Sequence, residues 1–371
     1  HQILKDAYGP KVALFSSEET TTDGVHYHPS VLTTPEALVL YQQMAQAVEN
    51  GLTHVVMEVS SQAYKTKRVF GLTFDLGIFL NISHDHISPI EHETFEEYFL
   101  CKQELLLHSK KMVMNHESDH FEVLENLCQI NHIPYLTYGG STADYPVIAM
   151  DDPRAFELKS STDPLAINGD YALTIFGHFN HENAAAALLA TAWLETPRNH
   201  MKESLSKCVI PGRMTLFDLP NGALAFVDFA HNYLSLLSMG QLAKEIRPHG
   251  KAIVMTGSAG GKALLRRKDM GLAITQIYDV AILTSDDPNF ENPNAIADEI
   301  QQAIENPEVA VYREMDREQA IYLALSLAGP QDVVVLAGKG NEASMKIEGH
   351  DAPYDGDAIY AQKWIATQKE A

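Results

Sequence analysis

Apolar and polar positions along this chain fall into two alternating rhythms. Short apolar runs recur at residues 11–16, 54–59, 76–82, 111–115, 134–138, 171–175, 224–228, 251–257, 279–285, 309–311 and 332–337. Between many of them, apolar residues recur three and four apart over 37–49, 121–129, 183–194, 233–245, 263–277, 294–304 and 317–327. The short runs read as strands buried on both faces, and the longer pattern reads as helices. Strands alternating with helices of this length predict parallel, doubly wound sheets. Punctuation sharpens the boundaries. Gly9-Pro10 closes an opening helix over 1–9, Thr34-Pro35 reads as cap and first position of the next helix, and Asn50-Gly51 closes it. Thr94-x-x-Glu97 has the form of a capping box at the head of a helix that carries Lys102. Residues 19–28 read as a loop, and 143–170 as strands and loops at a sheet edge. The Ala-rich helix over 183–194 is expected to pack close to its sheet. Pro211 and Gly212 interrupt the pattern, so two domains are expected, 1–210 and 211–371.

Composition narrows the function classes. Basic residues number 27 against 49 acidic ones, a net charge of −22, which argues against binding a nucleic-acid backbone. Cys101, Cys128 and Cys208 lie far apart without C-x-x-C spacing, which excludes a zinc ribbon or disulfide framework and fits a reducing cytoplasm. No apolar run approaches the roughly 18 residues of a membrane span, and no signal peptide is visible. The first residue is His1 and the chain opens in a helical pattern, so a fragment is expected.

Ligands of open α/β sheets bind beyond the carboxyl ends of the strands. The run over 54–59 ends in Glu58, Ser60 and Ser61, and the next ends in Asn81, Asp85 and His86. With Lys102, a carboxylate, an imidazole and an amine are expected to converge on a single sheet edge. An ammonium has no lone pair for a metal. A buried lysine carbamylated by CO2 would offer oxygen, making a site for Mg²⁺ or Mn²⁺. Residue types alone leave open a plain alternative, a capped helix with a surface lysine and a loop histidine. Three further polar clusters follow later strands: Asp228-Phe229-Ala230-His231, Ser285-Asp286-Asp287-Pro288-Asn289 and Gly338-Lys339-Gly340-Asn341-Glu342. The stretch Gly257-Ser258-Ala259-Gly260-Gly261-Lys262 lacks the glycine spacing and hydroxyl of a Walker A loop and is rejected as one.

In combination these motifs resemble the Mur ligases, most of all the members that add the third residue of the peptidoglycan peptide. The matching residues are Glu58-Val59-Ser60-Ser61, Asn81-Ile82-Ser83-His84-Asp85-His86, Tyr98 with Lys102, Gly177-His178-Phe179-Asn180 with Asn183, Gly212-Arg213-Met214, and the three clusters just named. They run in family order over nearly the whole chain. The resemblance implies a central ATPase-type parallel-sheet domain followed by a Rossmann-like doubly wound domain. It implies phosphorylation of a D-glutamyl carboxylate by ATP, then attack of an amino acid's amine on the acyl phosphate.

By the same resemblance, Lys102 is the carbamylated lysine and binds Mg²⁺ (or Mn²⁺) with Glu58 and His86. Thr33, Thr34, Ser60 and Arg68 hold the UDP-N-acetylmuramoyl-dipeptide. Asn183, Arg213, Asp228 and His231 contact the nucleotide. Arg267, Asp286, Asp287, Asn289, Gly338 and Glu342 receive the incoming amino acid. Thr66 stands where the family often has Gln, and Lys262-Ala263 where it often has Arg-Asp. Diaminopimelate-adding members carry an arginine at the place of Asn289, so an uncharged residue there disfavours a second carboxylate, while Asp286 and Asp287 favour an ammonium. L-lysine is the expected amino acid; ornithine has the same charge, and diaminopimelate is the alternative. The family's G-T-x-G-K-T phosphate loop and its UDP-binding domain would precede His1, so the chain as it stands is expected to be inactive or nearly so. A folylpolyglutamate synthase-like ligase and a degenerate, non-catalytic binding protein are the other readings. A monomer is expected, with a hinge around residues 210–212.

Overall fold

The computed structural model describes residues 1–83, 87–88, 91–210, 213–262 and 264–370, with the side chains of 369–370 left aside. They form two compact units. The first holds His1–His84, Glu91–Thr174 and His178–Cys208; the second is built on Val209–Ala371, with Ile175–Gly177 attached.

The first unit opens with α1 (Gln2–Tyr8) and β1 (Val12–Phe15). β2 (Glu19–Thr21) and β3 (His28–Pro29) then extend the sheet where a loop was expected. Polar side chains make this possible: Asp23 Oδ1 accepts from the backbone N–H of Val25 and His26, and Thr21 Oγ1 from that of Gly24, satisfying the turn locally. α2 (Ala37–Glu49) starts later than expected, after Glu36, because Thr34 is drawn fully inside. β4 (His54–Met57) pairs parallel to β1 in the register Val12↔His54 to Phe15↔Met57, and α3 (Ser61–Lys65) follows it. This sheet has the order β3-β2-β1-β4.

The rest of the unit comprises β5 (Gly77–Phe79), α4 (Phe95–Leu107), β6 (Met112–Asn115), α5 (Phe121–Ile130), β7 (Tyr135–Gly139), β8 (Tyr145–Ala149), β9 (Ala155–Leu158), β10 (Gly169–Ala172), α6 (His178–Trp193) and α7 (Met201–Lys207). Its sheet runs β10-β9-β8-β7-β6-β5, parallel from β5 to β8 and antiparallel beyond. So β4 and β5, expected on one sheet edge, are edge strands of two separate sheets. β4 bonds to β1 and β5 to β6. The alanine-rich face of α6 does pack closely: Ala184, Ala185, Leu188 and Leu189 are buried with Val113, Tyr138, Tyr145 and Phe156.

The second unit contains β11 (Thr215–Asp218), β12 (Leu224–Asp228), α8 (Tyr233–Ile246), β13 (Ala252–Thr256), α9 (Leu265–Ile277), β14 (Val280–Leu283), α10 (Pro293–Gln302), β15 (Ala310–Arg313), α11 (Arg317–Leu327), β16 (Val333–Ala337), the hairpin β17 (Ser344–Ile347) and β18 (His350–Pro353), and α12 (Asp357–Glu370). Its sheet is ordered β11-β12-β16-β13-β14-β15, parallel except for the edge strand β11. This is the expected doubly wound α/β arrangement. β16 lies at the centre, and Val333 through Ala337 are all fully buried. Each such valine or leucine contributes roughly 1.5–3 kcal/mol by leaving water. Because β12, β14 and β16 are parallel, Asp228, Ser285 and Gly338 emerge on the same edge.

Candidate functional site

In the first unit the structure gathers three of the four residues expected to hold the dipeptide. Ser60 caps α3, its Oγ accepting from Ala63 N at 3.2 Å. Thr34 Oγ1 donates to the Glu58 carbonyl at 3.0 Å and accepts from Ser60 N at 3.0 Å, so its hydroxyl pins the end of β4. Arg68 donates to the Thr34 carbonyl at 3.2 Å and pairs with Glu36 at 2.9 Å. The Arg68 Nε is buried with no partner among the described residues. Thr33 is half-buried beside Thr34. Glu36 was missed in the sequence, where it reads as an ordinary first-turn acid.

Of the expected metal set, Glu58 is exposed at the end of β4, and its Oε2 accepts from Ser17 N at 3.2 Å and Ser17 Oγ at 2.8 Å. Lys102 is half-buried on α4, its Nζ 5.4 Å from the centre of the Tyr98 ring. His86 lies outside the described residues. Carboxylate oxygens and, after carbamylation, a lysine-borne oxygen suit a hard divalent cation. α3 and α4 are tied together by an ion pair from Lys65 to Glu97 at 2.8 Å. Glu97 N bonds to Thr94 Oγ1 as expected of a capping box, but the Glu97 carboxylate reaches Glu93 N instead of the cap residue. A further group, Glu117, His178 and Glu182, gathers its ligand-capable atoms within 4.8 Å near the ends of β6 and α6.

Asn183, also in the first unit, is exposed on α6. The other expected nucleotide residues belong to the second. Asp228 is buried at the end of β12, where its carboxylate accepts from Met214 N at 2.9 Å and Ala230 N at 2.8 Å; burial pushes its pKa up despite them. The Arg213 guanidinium stacks 4.8 Å from the Phe229 ring centre. His231 Nδ1 donates to the Phe229 carbonyl at 2.7 Å, which leaves Nε2 as the acceptor in the neutral ring.

Of the residues expected to receive the amino acid, Asp286, Asp287, Gly338 and Glu342 meet at the carboxyl ends of β14 and β16. Asp286, pushed up to about 6 by burial, lies 3.7 Å from Arg317. Asp287 Oδ1 accepts from Lys339 Nζ at 2.8 Å and from Lys346 N at 2.9 Å. Glu342 pairs with the same Lys339 at 2.5 Å. Gly338 has a φ of 119°, and a Cβ there would come 2.2 Å from Asp286 Oδ2, so glycine lets the loop close over this carboxylate. Asn289 is held by the β17–β18 hairpin: its Oδ1 accepts from Gly349 N at 2.8 Å. Arg267 is 1% exposed and paired through its terminal nitrogens with Glu291 and Glu299 at 2.9 and 3.1 Å, while its Nε is buried with no partner among the described residues. Ser258 and Thr284, just past β13 and β14, have buried hydroxyls without partners among the described residues.

Two basic residues that organise this end of the sheet were missed. Lys339 is visible in the sequence as a cation between two glycines. Arg317, 1% exposed, forms a bidentate pair with the fully buried Asp357 at 2.8 and 2.7 Å and donates to the carbonyls of Ser285 and Ala337. No local signal marks it, because Asp357 lies 40 residues on. Asp286, Asp287, Glu342 and Asp357 thus meet two cations, and the cluster keeps an excess of two negative charges when all are ionised.

Residues 1–191 match the model of the Mur ligase middle domain and residues 212–340 that of the Mur ligase glutamate ligase domain. The chain belongs to the Mur ligase family of ATP-dependent acid–amino-acid ligases. It is 45% identical over 368 residues to a UDP-N-acetylmuramoyl-L-alanyl-D-glutamate–L-lysine ligase of Enterococcus faecalis, covering 98% of this chain and 72% of that protein. It is 42% identical over 365 residues to a UDP-N-acetylmuramyl-tripeptide synthetase of Lactococcus lactis, covering 98% and 73%. Among solved structures it resembles a UDP-N-acetylmuramoyl-L-alanyl-D-glutamate–2,6-diaminopimelate ligase, with a TM-score of 0.61 at 26% identity, covering all of this chain and 75% of that one.

Proposed function

We propose that this protein adds L-lysine to UDP-N-acetylmuramoyl-L-alanyl-D-glutamate in peptidoglycan precursor synthesis. A D-glutamyl carboxylate oxygen attacks the γ-phosphorus of ATP and ADP leaves, giving an acyl phosphate. The neutral amine of lysine then attacks the carbonyl carbon, and phosphate and a proton leave as the amide forms. The observation that carries lysine is the acidic cluster of Asp286, Asp287 and Glu342, with uncharged Asn289 where an arginine would receive a second carboxylate. A carboxylate buried there without a partner would be costly. The 45% identity to a lysine ligase supports the same choice.

Thr33, Thr34, Ser60 and Arg68 would orient the dipeptide, and Asn183, Arg213, Asp228 and His231 the nucleotide. Glu58, His86 and carbamylated Lys102 would hold Mg²⁺ (or Mn²⁺), which when bound offsets charge developing on the phosphates. Residues 1–210 would be the central ATP-binding domain and 211–371 the amino-acid-binding domain, which also supplies Arg213, Asp228 and His231 to the nucleotide. Among the described residues no helix is long and apolar enough to cross a membrane. A monomer working in the cytoplasm fits this chemistry.

The test measures incorporation of labelled lysine, ornithine and diaminopimelate by the full-length gene product with ATP, Mg²⁺ and the dipeptide substrate. Lysine should be preferred over diaminopimelate by about 100-fold or more, as expected when a charge has no partner in the site. Equal rates sink the assignment.

A further inference from the structure

The acidic cluster beyond β14 and β16 contains a cation of its own. Lys339 follows β16 between Gly338 and Gly340, whose φ values of 119° and 56° fold the backbone back on itself. The turn sends the side chain inward, to 1% exposure. Its Nζ bridges Asp287 Oδ1, in the loop after β14, and Glu342 Oε2, in its own loop. Asp286, one residue before Asp287, is faced by Arg317 from α11, by Lys339, and by the carboxylates of Asp287 and Glu342. Arg317 is in turn held by Asp357 of α12. Burial works against the Lys339 charge, but the surrounding carboxylates outweigh it and raise its pKa, so the ammonium persists at neutral pH.

We propose that Lys339 is a positioning residue for amino-acid selection: its buried ammonium clamps Asp287 to Glu342, faces Asp286, and so fixes where and how strongly the cluster is negative. The clamp leaves one excess negative charge among Lys339, Asp287 and Glu342. With Asp286, Asp357 and Arg317 included the cluster stays net negative, which suits an amino acid with a cationic side-chain group. Without Lys339, two carboxylates would face each other uncompensated, and the pull toward the ionised form at Asp286 would weaken. This inference rests on the function proposed above.

The experiment compares lysine incorporation by the full-length gene product as wild type, K339M and K339R, with melting temperatures recorded. D286N identifies the acid limb of the kcat/KM profile that belongs to Asp286, expected near pH 6 in wild type. K339M should raise the KM for lysine by about tenfold or more while kcat at saturating lysine changes by less than about threefold. It should also move the Asp286 limb to higher pH by about one unit, whereas K339R, which keeps the charge, leaves the limb in place. An unchanged KM and limb in a folded K339M overturn the proposal, as does a K339R limb displaced as far as that of K339M. If K339M does not fold, K339R decides on the same criterion; failure of both to fold overturns the proposal in favour of a purely structural lysine. Wild type that incorporates no cationic amino acid defeats the proposed function and this inference with it. Normal wild-type activity with an indifferent K339M defeats this inference alone.

Discussion

Replacing Arg317 by methionine tests how the second unit is held together. The guanidinium makes two bonds to Asp357, at 2.8 and 2.7 Å, and one each to the carbonyls of Ser285 and Ala337, at 3.2 and 2.9 Å. Burial opposes its charge, and Asp357 followed by Asp286 more than offsets this, so the pKa of Arg317 is raised. Methionine fills most of the volume but leaves Asp357, 0% exposed, without its cation. Removing one member of a buried ion pair costs about 3–5 kcal/mol. For a unit of this size that corresponds to a fall in melting temperature of about 6–20 °C. Trp364 on α12 packs against the second unit's core and Trp193 belongs to the first, so fluorescence in a W193F background follows the second unit's unfolding in urea. The double variant R317M/D357L removes both charges and should recover more than half of the loss. The remaining deficit, about 1–2 kcal/mol, reflects the two carbonyls left without their donor and the Tyr354 hydroxyl left without its Asp357 acceptor. A single variant that loses less than about 1 kcal/mol, or a double variant no more stable than the single, refutes this account of the pair.

Asp286 should make stability pH-dependent. Its folded-state pKa is raised, to about 6, so its contribution is fully present below the unfolded value of about 3.9 and is lost as pH rises through about 6. D286N should therefore gain about 2–3 kcal/mol relative to wild type between pH 4 and pH 7.5, read by urea titration at both pH values; a constant difference contradicts the burial of this carboxyl. Thr34→Val removes the hydroxyl that bridges Glu58 O and Ser60 N. It should cost about 1–3 kcal/mol and, in the full-length gene product, raise the KM for the dipeptide substrate more than that for lysine. Equal changes in both would detach Thr34 from the dipeptide site.

Much of the architecture was legible because elements are encoded locally. Helix α11 begins and ends where the apolar periodicity does, and the five parallel strands of the second unit coincide with apolar runs. Element boundaries failed where a polar side chain had a distant partner. Thr34 has every local feature of a helix cap, yet a bond to Ser60, 26 residues away, takes it into the core. The antiparallel strand β11, the β17–β18 hairpin and α12 left no clear apolar rhythm, since each exposes much of its surface.

The sequence by itself determined the α/β class, the Mur ligase motifs and the set of polar residues at the strand ends. Those features depend on residue type and short spacing, and a strand's carboxyl end can be recognised without knowing its neighbours. Only the tertiary structure decided which charges meet. Asp287 and Lys339 are 52 residues apart, and the order of β14 and β16 in the sheet, which periodicity does not encode, brings them to 2.8 Å. The separation of β4 from β5 was decided in the same way, by which strand edges found hydrogen-bonding partners. Acids that lie in separate stretches of the sequence become, once folded, a cluster of carboxylates balanced in part by Arg317 and Lys339.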